Sequence, residues 1–197
     1  MRKLIVSEFL TMDGVMQAPG GENEDRDGGF DRGGWQRPYF DNVFAKAVIE
    51  GIGGSGGFVL GRRTYDIFSA YWPTASSEEK DVADPLNNLP KYVVSRTLRE
   101  PLVWRNSILL KGDVADEIRS LKEQPGRDLM MMGSGELAQT MIKEGLVDEY
   151  GLMIHPLVLG KGKRLFREGG NGQVLKLLSS ATTSTGVLIL RYRTETR

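Results

Sequence analysis

Two segments of the sequence place cationic and hydroxyl side chains where they could bind an anion. In GRRTYDIF, Arg62 and Arg63 stand at the start of a predicted helix, where the helix dipole disfavours cations unless an anion is bound. The alternative is that one arginine is solvated and the other pairs with Asp66. In VVSR, Ser95 and Arg96 follow a predicted strand, and a hydroxyl beside a guanidinium suits a phosphomonoester such as the 2′-phosphate of NADP.

A third anion-binding candidate is MMMGSGELAQTM, Met130 to Met141, where a predicted strand enters a predicted helix through Gly-Ser-Gly. Glycines at this joint favour either close packing of strand and helix or a phosphate at the helix N-terminus. GSGELA fits the dinucleotide-binding pattern G-x-G-x-x-A, but the acid expected at the end of the next strand is replaced by the basic LGKGKR. From these residues alone both interpretations stay open.

Composition excludes several classes of function. Lys and Arg together number 26, as do Asp and Glu, so bulk charge favours neither nucleic acid nor an anionic membrane as partner. The absence of cysteine and the single histidine, His155, lead us to expect no metal site and no Ser-His-Asp triad. The start lacks a signal-like pattern and no apolar run reaches membrane length, so a soluble, cytoplasmic protein is expected. The length predicts a single domain, 1–197.

Alternating apolar and amphipathic patterns predict the elements that position these side chains. The last segment, VLKLLSSATTSTGVLILRYRT, predicts two strands around Gly186, and this hairpin would add an antiparallel edge to a mainly parallel sheet. The fold class is therefore α/β. The other predicted strands are Lys3–Leu10, FVLG, KYVVSR, Asp128–Met132 and Tyr150–Leu159, and the predicted helices are Tyr39–Glu50, Arg62–Ala70, Asp113–Lys122 and Gly135–Gly145.

Two glycine-rich segments separate these elements. GGENEDRDGGFDRGG, residues 20–34, contains acids and glycines and almost nothing to bury, which predicts a mobile loop of the kind that often serves as a lid. GIGGSGG, residues 51–57, predicts a flexible connector. Neither segment contributes a predicted helix or strand.

Several segments together resemble the dihydrofolate reductase superfamily, namely KLIVSEFLTMDG, LGRRTYDIF, VVSRTL and MMMGSGELAQTMIKEGLVDEYGLMIHPLVLGKGKRLF. More closely, they resemble the reductase domain of the bifunctional riboflavin-biosynthesis deaminase-reductase and its stand-alone relatives, above all through GLVDEYGLMIHPLVLGKGKRLF. The resemblance implies a dihydrofolate reductase-like three-layer sandwich with a central mixed sheet and helices on both faces. It also implies NADPH across the strand ends and a homodimer.

The resemblance further implies which residues bind the cofactor. The two glycine-containing helix starts would flank the pyrophosphate of NADPH, and the serine and arginine of VVSR would bind its 2′-phosphate. The implied cofactor site consists of Gly61, Arg62, Arg63, Thr64, Ser95, Arg96, Gly133, Ser134, Gly135, Glu136 and Leu137.

The substrate side has two candidate acids and a basic segment. Asp13, in TMDG, matches the Asp-Gly of the reductase-domain pattern and would donate a proton or orient the substrate; the alternative is a turn aspartate. Asp41 lies roughly where dihydrofolate reductases carry their pterin-binding acid; the alternative is a solvated or capping aspartate. Lys161, Lys163 and Arg164 could bind a substrate phosphate or form a solvated turn.

The expected function is an NADPH-dependent reductase that transfers a hydride to a pyrimidine- or pterin-like heterocycle. The nearest family precedent is the 5-amino-6-(5-phosphoribosylamino)uracil reductase of riboflavin biosynthesis. One alternative is dihydrofolate reductase or another NADPH reductase of the same fold, and another is a non-catalytic nucleotide-binding sensor. The acidic loop argues against a substrate with a phosphate tail, unless that loop points outward.

Overall fold

A computed structural model describes residues 1–170 and 172–195 of the chain. Eight strands form one sheet in the order β4-β3-β2-β5-β1-β6-β8-β7. The strands are β1 Leu4–Thr11, β2 Gly57–Gly61, β3 Lys91–Val94, β4 Ser107–Leu110, β5 Leu129–Met132, β6 Glu149–His155, β7 Val174–Thr182 and β8 Leu188–Glu195. The helices are α1 Asn42–Gly54, α2 Arg62–Tyr71, α3 Lys80–Asn88, α4 Val114–Glu123 and α5 Gly135–Lys143.

The sheet is mixed, as the sequence predicts. Strand β2 pairs in parallel with β3 and with β5, and β3 pairs in parallel with β4. Strand β8 pairs antiparallel with both β6 and β7, so the C-terminal hairpin forms an antiparallel edge. The predicted α/β class, a mainly parallel sheet with an antiparallel C-terminal hairpin, is confirmed.

The chain divides into two compact units, of which the first comprises Met1–Val6 and Val48–Asp148. Its short parallel strands are buried and apolar, as is usual for strands covered on both faces. Phe58, Leu60 and Tyr65 lie in its core. Within this core the Tyr65 hydroxyl accepts the backbone N–H of Trp104 at 3.0 Å, which satisfies a buried polar group.

The second unit comprises Ser7–Ala47 and the described residues from Glu149 onward. Val15, Ala18, Phe30 and Trp35 form one of its apolar clusters. His155 lies at the end of β6, fully buried, with four aromatic rings edge-on at centroid distances of 5.1–6.0 Å. His155 therefore packs within an aromatic cluster of this unit.

Three details differ from the sequence-based expectations. Helix α3 was not predicted, because Pro85 interrupts its pattern and few of its side chains are apolar. Helix α1 extends through Gly54, so much of the predicted flexible connector is helical. Strand β6 ends at His155 instead of continuing to Leu159, since the next residue is a proline and cannot donate to a strand partner.

The expectation that the acidic loop has almost nothing to bury is wrong at one residue. Phe30, in the middle of that loop, is 3% exposed and packs in the Val15 cluster. Among the described residues, no helix is long and apolar enough to cross a membrane.

Candidate functional site

A cavity of about 810 Å³ lies at the C-terminal ends of β2, β3 and β4 in the first unit. Because these three strands are parallel, their C-terminal ends share one edge of the sheet, which is where α/β proteins bind ligands. A volume of this size is typical of a small-molecule or cofactor pocket. Its lining includes six of the residues predicted for the cofactor: Gly61, Arg62, Ser95, Arg96, Glu136 and Leu137.

The cavity is lined by four cationic side chains, two of which have carboxylate partners. Arg62 pairs with Asp66 at 2.9 Å, which is the alternative that the sequence left open. Lys111 pairs with Glu100.

Arg96 and Arg99 are the other two cations, and the described part of the chain offers neither of them a carboxylate. Arg99 donates only to backbone carbonyl oxygens, those of Arg96 at 3.4 Å and Leu98 at 3.0 Å. These two guanidinium groups therefore retain charge with which to bind an anion.

Ser95 shapes the loop that carries these arginines. Its hydroxyl oxygen accepts the backbone N–H groups of Thr97 at 3.2 Å and Leu98 at 3.1 Å. This turn follows β3 immediately, so Ser95 fixes the path of the chain on which Arg96 and Arg99 stand. The Ser95 hydroxyl also lies 3.4 Å from Thr97 Oγ1, and either hydroxyl can donate in this pair.

The glycine joint between β5 and α5 is held together by its own hydrogen bonds. Gly133 and Ser134 both adopt left-handed backbone conformations, with φ of 57° and 56°. The Ser134 N–H donates to Thr64 Oγ1 at 2.9 Å, and the Gly61 N–H donates to Ser134 Oγ at 2.8 Å. A Cβ at Gly133 would lie 3.0 Å from Thr64 Oγ1. Close packing therefore explains Gly133, and the Ser134 N–H is already used.

The predicted cofactor residues thus separate into two groups. Six of them line the cavity. The other five do not: Arg63, Thr64, Gly133, Ser134 and Gly135. Thr64 is buried and joins the start of α2 to the start of α5. The residues that the sequence analysis missed, Arg99 and Lys111, follow the ends of β3 and β4, and the basic RTLR and LLKG segments were the available signal.

Asp13 lies in the second unit and holds a turn together. Its carboxylate accepts Thr11 Oγ1 at 2.6 Å and the backbone N–H groups of Leu159 at 3.2 Å and Gly160 at 2.8 Å. Burial alone raises the pKa of Asp13, but these hydrogen bonds outweigh it and lower the pKa to about 2. The side chain is therefore a carboxylate at neutral pH, which suits orientation of a substrate better than donation of a proton.

Asp41 also lies in the second unit, and both of its oxygens have partners. Oδ1 accepts the Phe44 N–H at 2.8 Å in the first turn of α1, as a helix-capping aspartate does. Oδ2 accepts the N–H and the hydroxyl of Ser184 at 2.8 and 2.7 Å. The Phe44 and Ser184 hydrogen bonds lower the pKa of Asp41. Asp41 therefore caps helix α1, which is the alternative that the sequence left open. A substrate role for Asp41 stays a prediction.

The mixed sheet, with a cavity at the ends of its parallel strands, defines an α/β protein with a ligand-sized pocket at the sheet edge. The particular family follows from the sequence profile of the RibD C-terminal domain, which matches residues 2–189. The chain belongs to this family, a riboflavin-pathway reductase family.

Relatives and solved structures agree with this assignment. The uncharacterized protein YyaP of Bacillus subtilis strain 168 is 30% identical over 197 residues, covering 97% of this chain and 94% of YyaP. YwjB of the same organism is 37% identical over 119 residues, which is 60% of this chain and 63% of YwjB.

Two solved structures have the same fold. One, from Shewanella sp. PV-4, is described as a riboflavin biosynthesis protein; it has a TM-score of 0.69 at 22% identity and covers 98% of this chain and 99% of its own. The other is a pyrimidine reductase-like protein from Corynebacterium diphtheriae, with a TM-score of 0.69 at 11% identity, covering 100% and 93%. At these identities the likeness concerns the fold.

Proposed function

We propose that this protein is an NADPH-dependent reductase that transfers a hydride to a pyrimidine- or pterin-like heterocycle. The observation that carries the proposal is the cavity at the ends of β2–β4, where Arg96 and Arg99 have no carboxylate partner among the described residues. Two such guanidinium groups fit the 2′-phosphate of NADPH, which NADH lacks. Membership of a riboflavin-pathway reductase family supports the same reaction class.

The chain's own residues would bind and orient the reactants. Arg96 and Arg99 would hold the 2′-phosphate, and the starts of α2 and α5 would favour the pyrophosphate through their helix dipoles. When bound, NADPH supplies the hydride. The ionised Asp13 would accept a hydrogen bond from a ring N–H of the heterocycle and so fix its orientation.

Calorimetric titration with NADPH and then NADH tests the cofactor assignment. Replacing Arg96 by alanine should weaken NADPH binding by about 1.5–3 kcal/mol, because a charge-assisted hydrogen bond is lost, and should barely change NADH binding. Arg26→Ala, an exposed arginine in the second unit, is the matched control and should leave both affinities unchanged. Equal losses for the two cofactors in Arg96→Ala, or binding of neither by the native protein, would contradict the proposal.

A homodimer is the second part of the proposal. The β7–β8 hairpin forms the edge of the sheet and exposes several large apolar side chains: Val174, Leu177, Leu178 and Leu188. Exposed apolar groups concentrated on one hairpin support association with a second copy of the chain.

A further inference from the structure

We propose that the acidic loop, residues 20–34, permanently occupies the basic turn, residues 161–164, and that the substrate therefore carries no phosphate group. This inference rests on the proposed function, because it narrows the substrate class of the same enzyme. Without the loop, the basic turn would be a suitable phosphate site, since it carries three cations within four residues.

Lys163 is the cation that the loop neutralises most completely. Its Nζ lies 2.7 Å from Asp25 Oδ2 and 2.9 Å from Asp27 Oδ2. The Asp25 side chain is only 12% exposed, so this pair is screened by water less than a surface pair would be. Two carboxylates around one ammonium leave no net positive charge for a phosphate at this position.

The other two cations of the basic turn also have carboxylate partners. Lys161 Nζ lies 3.1 Å from Asp31 Oδ1, and this exposed pair is weak by itself. Arg164 donates through Nε to the Asp13 carbonyl oxygen at 2.8 Å and has Nη2 3.5 Å from Asp13 Oδ2. Lys163 is therefore the most strongly neutralised cation of the basic turn, and the other two are also paired.

A buried glutamine fixes the loop aspartates against Lys163. Gln17 is 4% exposed, and its Nε2 donates to the carbonyl oxygens of Asp25 at 3.1 Å and Asp27 at 3.0 Å. Its Oε1 accepts the backbone N–H of Lys163 at 3.0 Å. One amide thus ties the backbones of the loop and the turn together, which holds the ion pairs in place independently of their charges.

An apolar contact adds a second, salt-independent attachment. Phe30 of the loop is buried, and a Cβ at Gly162 of the turn would lie 3.1 Å from the Phe30 ring. The turn can approach this closely only because residue 162 is a glycine, whose φ is 132°. Burial of a phenylalanine side chain stabilises the closed arrangement in a way that a competing anion does not reverse. The loop is therefore a fixed part of this unit.

The basic turn adjoins the acid that we assign to the substrate. The N–H groups of Leu159 and Gly160 both bind the Asp13 carboxylate, and Arg164 binds the same residue. A substrate oriented by Asp13 would meet the turn as its nearest cationic group within this unit. Because the turn's charges are already neutralised, a phosphate there would have to displace carboxylates that are held by Gln17 and Phe30.

The test compares 5-amino-6-ribosylaminouracil with its 5′-phosphate as ligands of the NADPH-saturated protein. We expect the native protein to bind the unphosphorylated form about tenfold or more tightly. In Asp25→Asn/Asp27→Asn, which frees Lys163, the ratio of affinities should shift toward the phosphate by about tenfold. Asp81→Asn/Asp84→Asn makes the same charge change on the exposed face of α3 and should leave the ratio unchanged.

A second variant covers the case in which the double variant fails to fold. Asp27→Asn alone removes the more exposed of the two carboxylates and should shift the ratio of affinities toward the phosphate by less than the double variant does. Tighter binding of the phosphate by the native protein, or an unchanged ratio in Asp27→Asn, would overturn the inference.

Failure of the proposed function gives a different pattern from failure of this inference. Absence of NADPH binding would contradict the proposed function, whereas the loop can then still be tested with ribose 5-phosphate as the probe. The double variant should bind ribose 5-phosphate measurably and the native protein should not. Equal binding by both proteins would contradict the occupied basic turn.

Discussion

At the residue scale, Asp13 shows how hydrogen bonds set the charge state of a candidate site residue. Its carboxylate accepts two backbone N–H groups and one hydroxyl, and these partners favour the ionised form against the cost of burial. The folded pKa of about 2 lies below the ordinary value of 3.8. The stability that Asp13 contributes is therefore complete above pH 3.8 and is lost as the pH falls toward about 2.

Asp13→Asn should lower the free energy of unfolding at neutral pH by about 1–3 kcal/mol, because charge-assisted hydrogen bonds become neutral ones. Urea denaturation at pH 7 measures this loss, and carboxyl NMR titration of the native protein should show a midpoint near 2 for Asp13. Asp84→Asn, on the exposed surface of α3, is the control and should change stability little. An Asp13 midpoint near 3.8 would contradict the role of the hydrogen bonds.

Also at the residue scale, the position of Arg99 at the cavity does not follow from the sequence. Arg96 is the second residue after β3, and its type and position pointed to an anion. Arg99 lies three residues further on, after a turn whose path is fixed by the Ser95 hydroxyl. The segment RTLRE is visibly basic, but its sequence does not show that this turn brings a second guanidinium to the same cavity.

At the element scale, the joint between β5 and α5 shows that close packing explains the glycine at position 133. Gly133 has a φ of 57°, and an added Cβ would lie 3.0 Å from Thr64 Oγ1. Gly133→Ala should therefore lower the free energy of unfolding by about 1–2 kcal/mol, since a left-handed alanine is strained. Thermal or urea unfolding measures the change.

Gly53→Ala is the matched control for this joint. Gly53 lies in α1, and a Cβ there would meet nothing within 4 Å. This substitution should stabilise the protein by up to about 1 kcal/mol, because it removes backbone freedom from the unfolded chain. Similar effects of the two alanines would contradict the packing explanation for Gly133.

At the end of β6, His155 makes the free energy of unfolding depend on pH. His155 Nδ1 lies 3.2 Å from the Leu10 carbonyl oxygen and 3.0 Å from that of Met153, so Nδ1 must carry the proton. Nε2 is buried without a partner among the described residues, and burial lowers the pKa of His155 below 6.5. The unfolded chain therefore binds a proton first as the pH falls, and stability is lost below about pH 6.5.

His155→Phe should reduce this loss, since phenylalanine keeps the aromatic contacts and cannot be protonated. The chain has one histidine, so other histidines cannot contribute to the difference. Urea denaturation at pH 8 and pH 5.5 measures it, and Tyr39→Phe, which keeps the histidine, should retain the native pH dependence. Identical pH dependence in native protein and His155→Phe would contradict this account.

At the scale of the whole molecule, the hairpin of β7 and β8 determines the proposed association. Leu177 and Leu178 are 49% and 42% exposed, although they are large and apolar. If this hairpin forms a homodimer, Leu177→Lys should shift the protein toward the monomer, because a charge would be buried without a partner. Light scattering after size exclusion measures the change, with the exposed Val103→Lys as control. A native protein that is monomeric at high concentration would contradict the dimer.

The sequence by itself determined the class of fold and the position of Arg96 at one edge of the sheet. Apolar runs and helical patterns depend on nearby residues, and the C-terminal ends of parallel strands necessarily share an edge, so Arg96 could be placed from local patterns alone. Helix α3 escaped prediction because tertiary packing, through the buried Asn87 bonded to Trp104 Nε1 at 2.7 Å, stabilises a pattern that is locally poor.

Only the tertiary structure decided which cations keep their charge for a ligand. Lys163 and Arg96 look equally suited to a phosphate in the sequence, yet Lys163 is neutralised by Asp25, 138 residues away, whereas Arg96 lines the cavity without a carboxylate among the described residues. Lys163 and Asp25 can pair across this separation because Gln17 and Phe30 hold the acidic loop against the basic turn. The residue type decides whether a side chain can be charged. The side chains that the fold packs beside it decide whether that charge can bind a ligand.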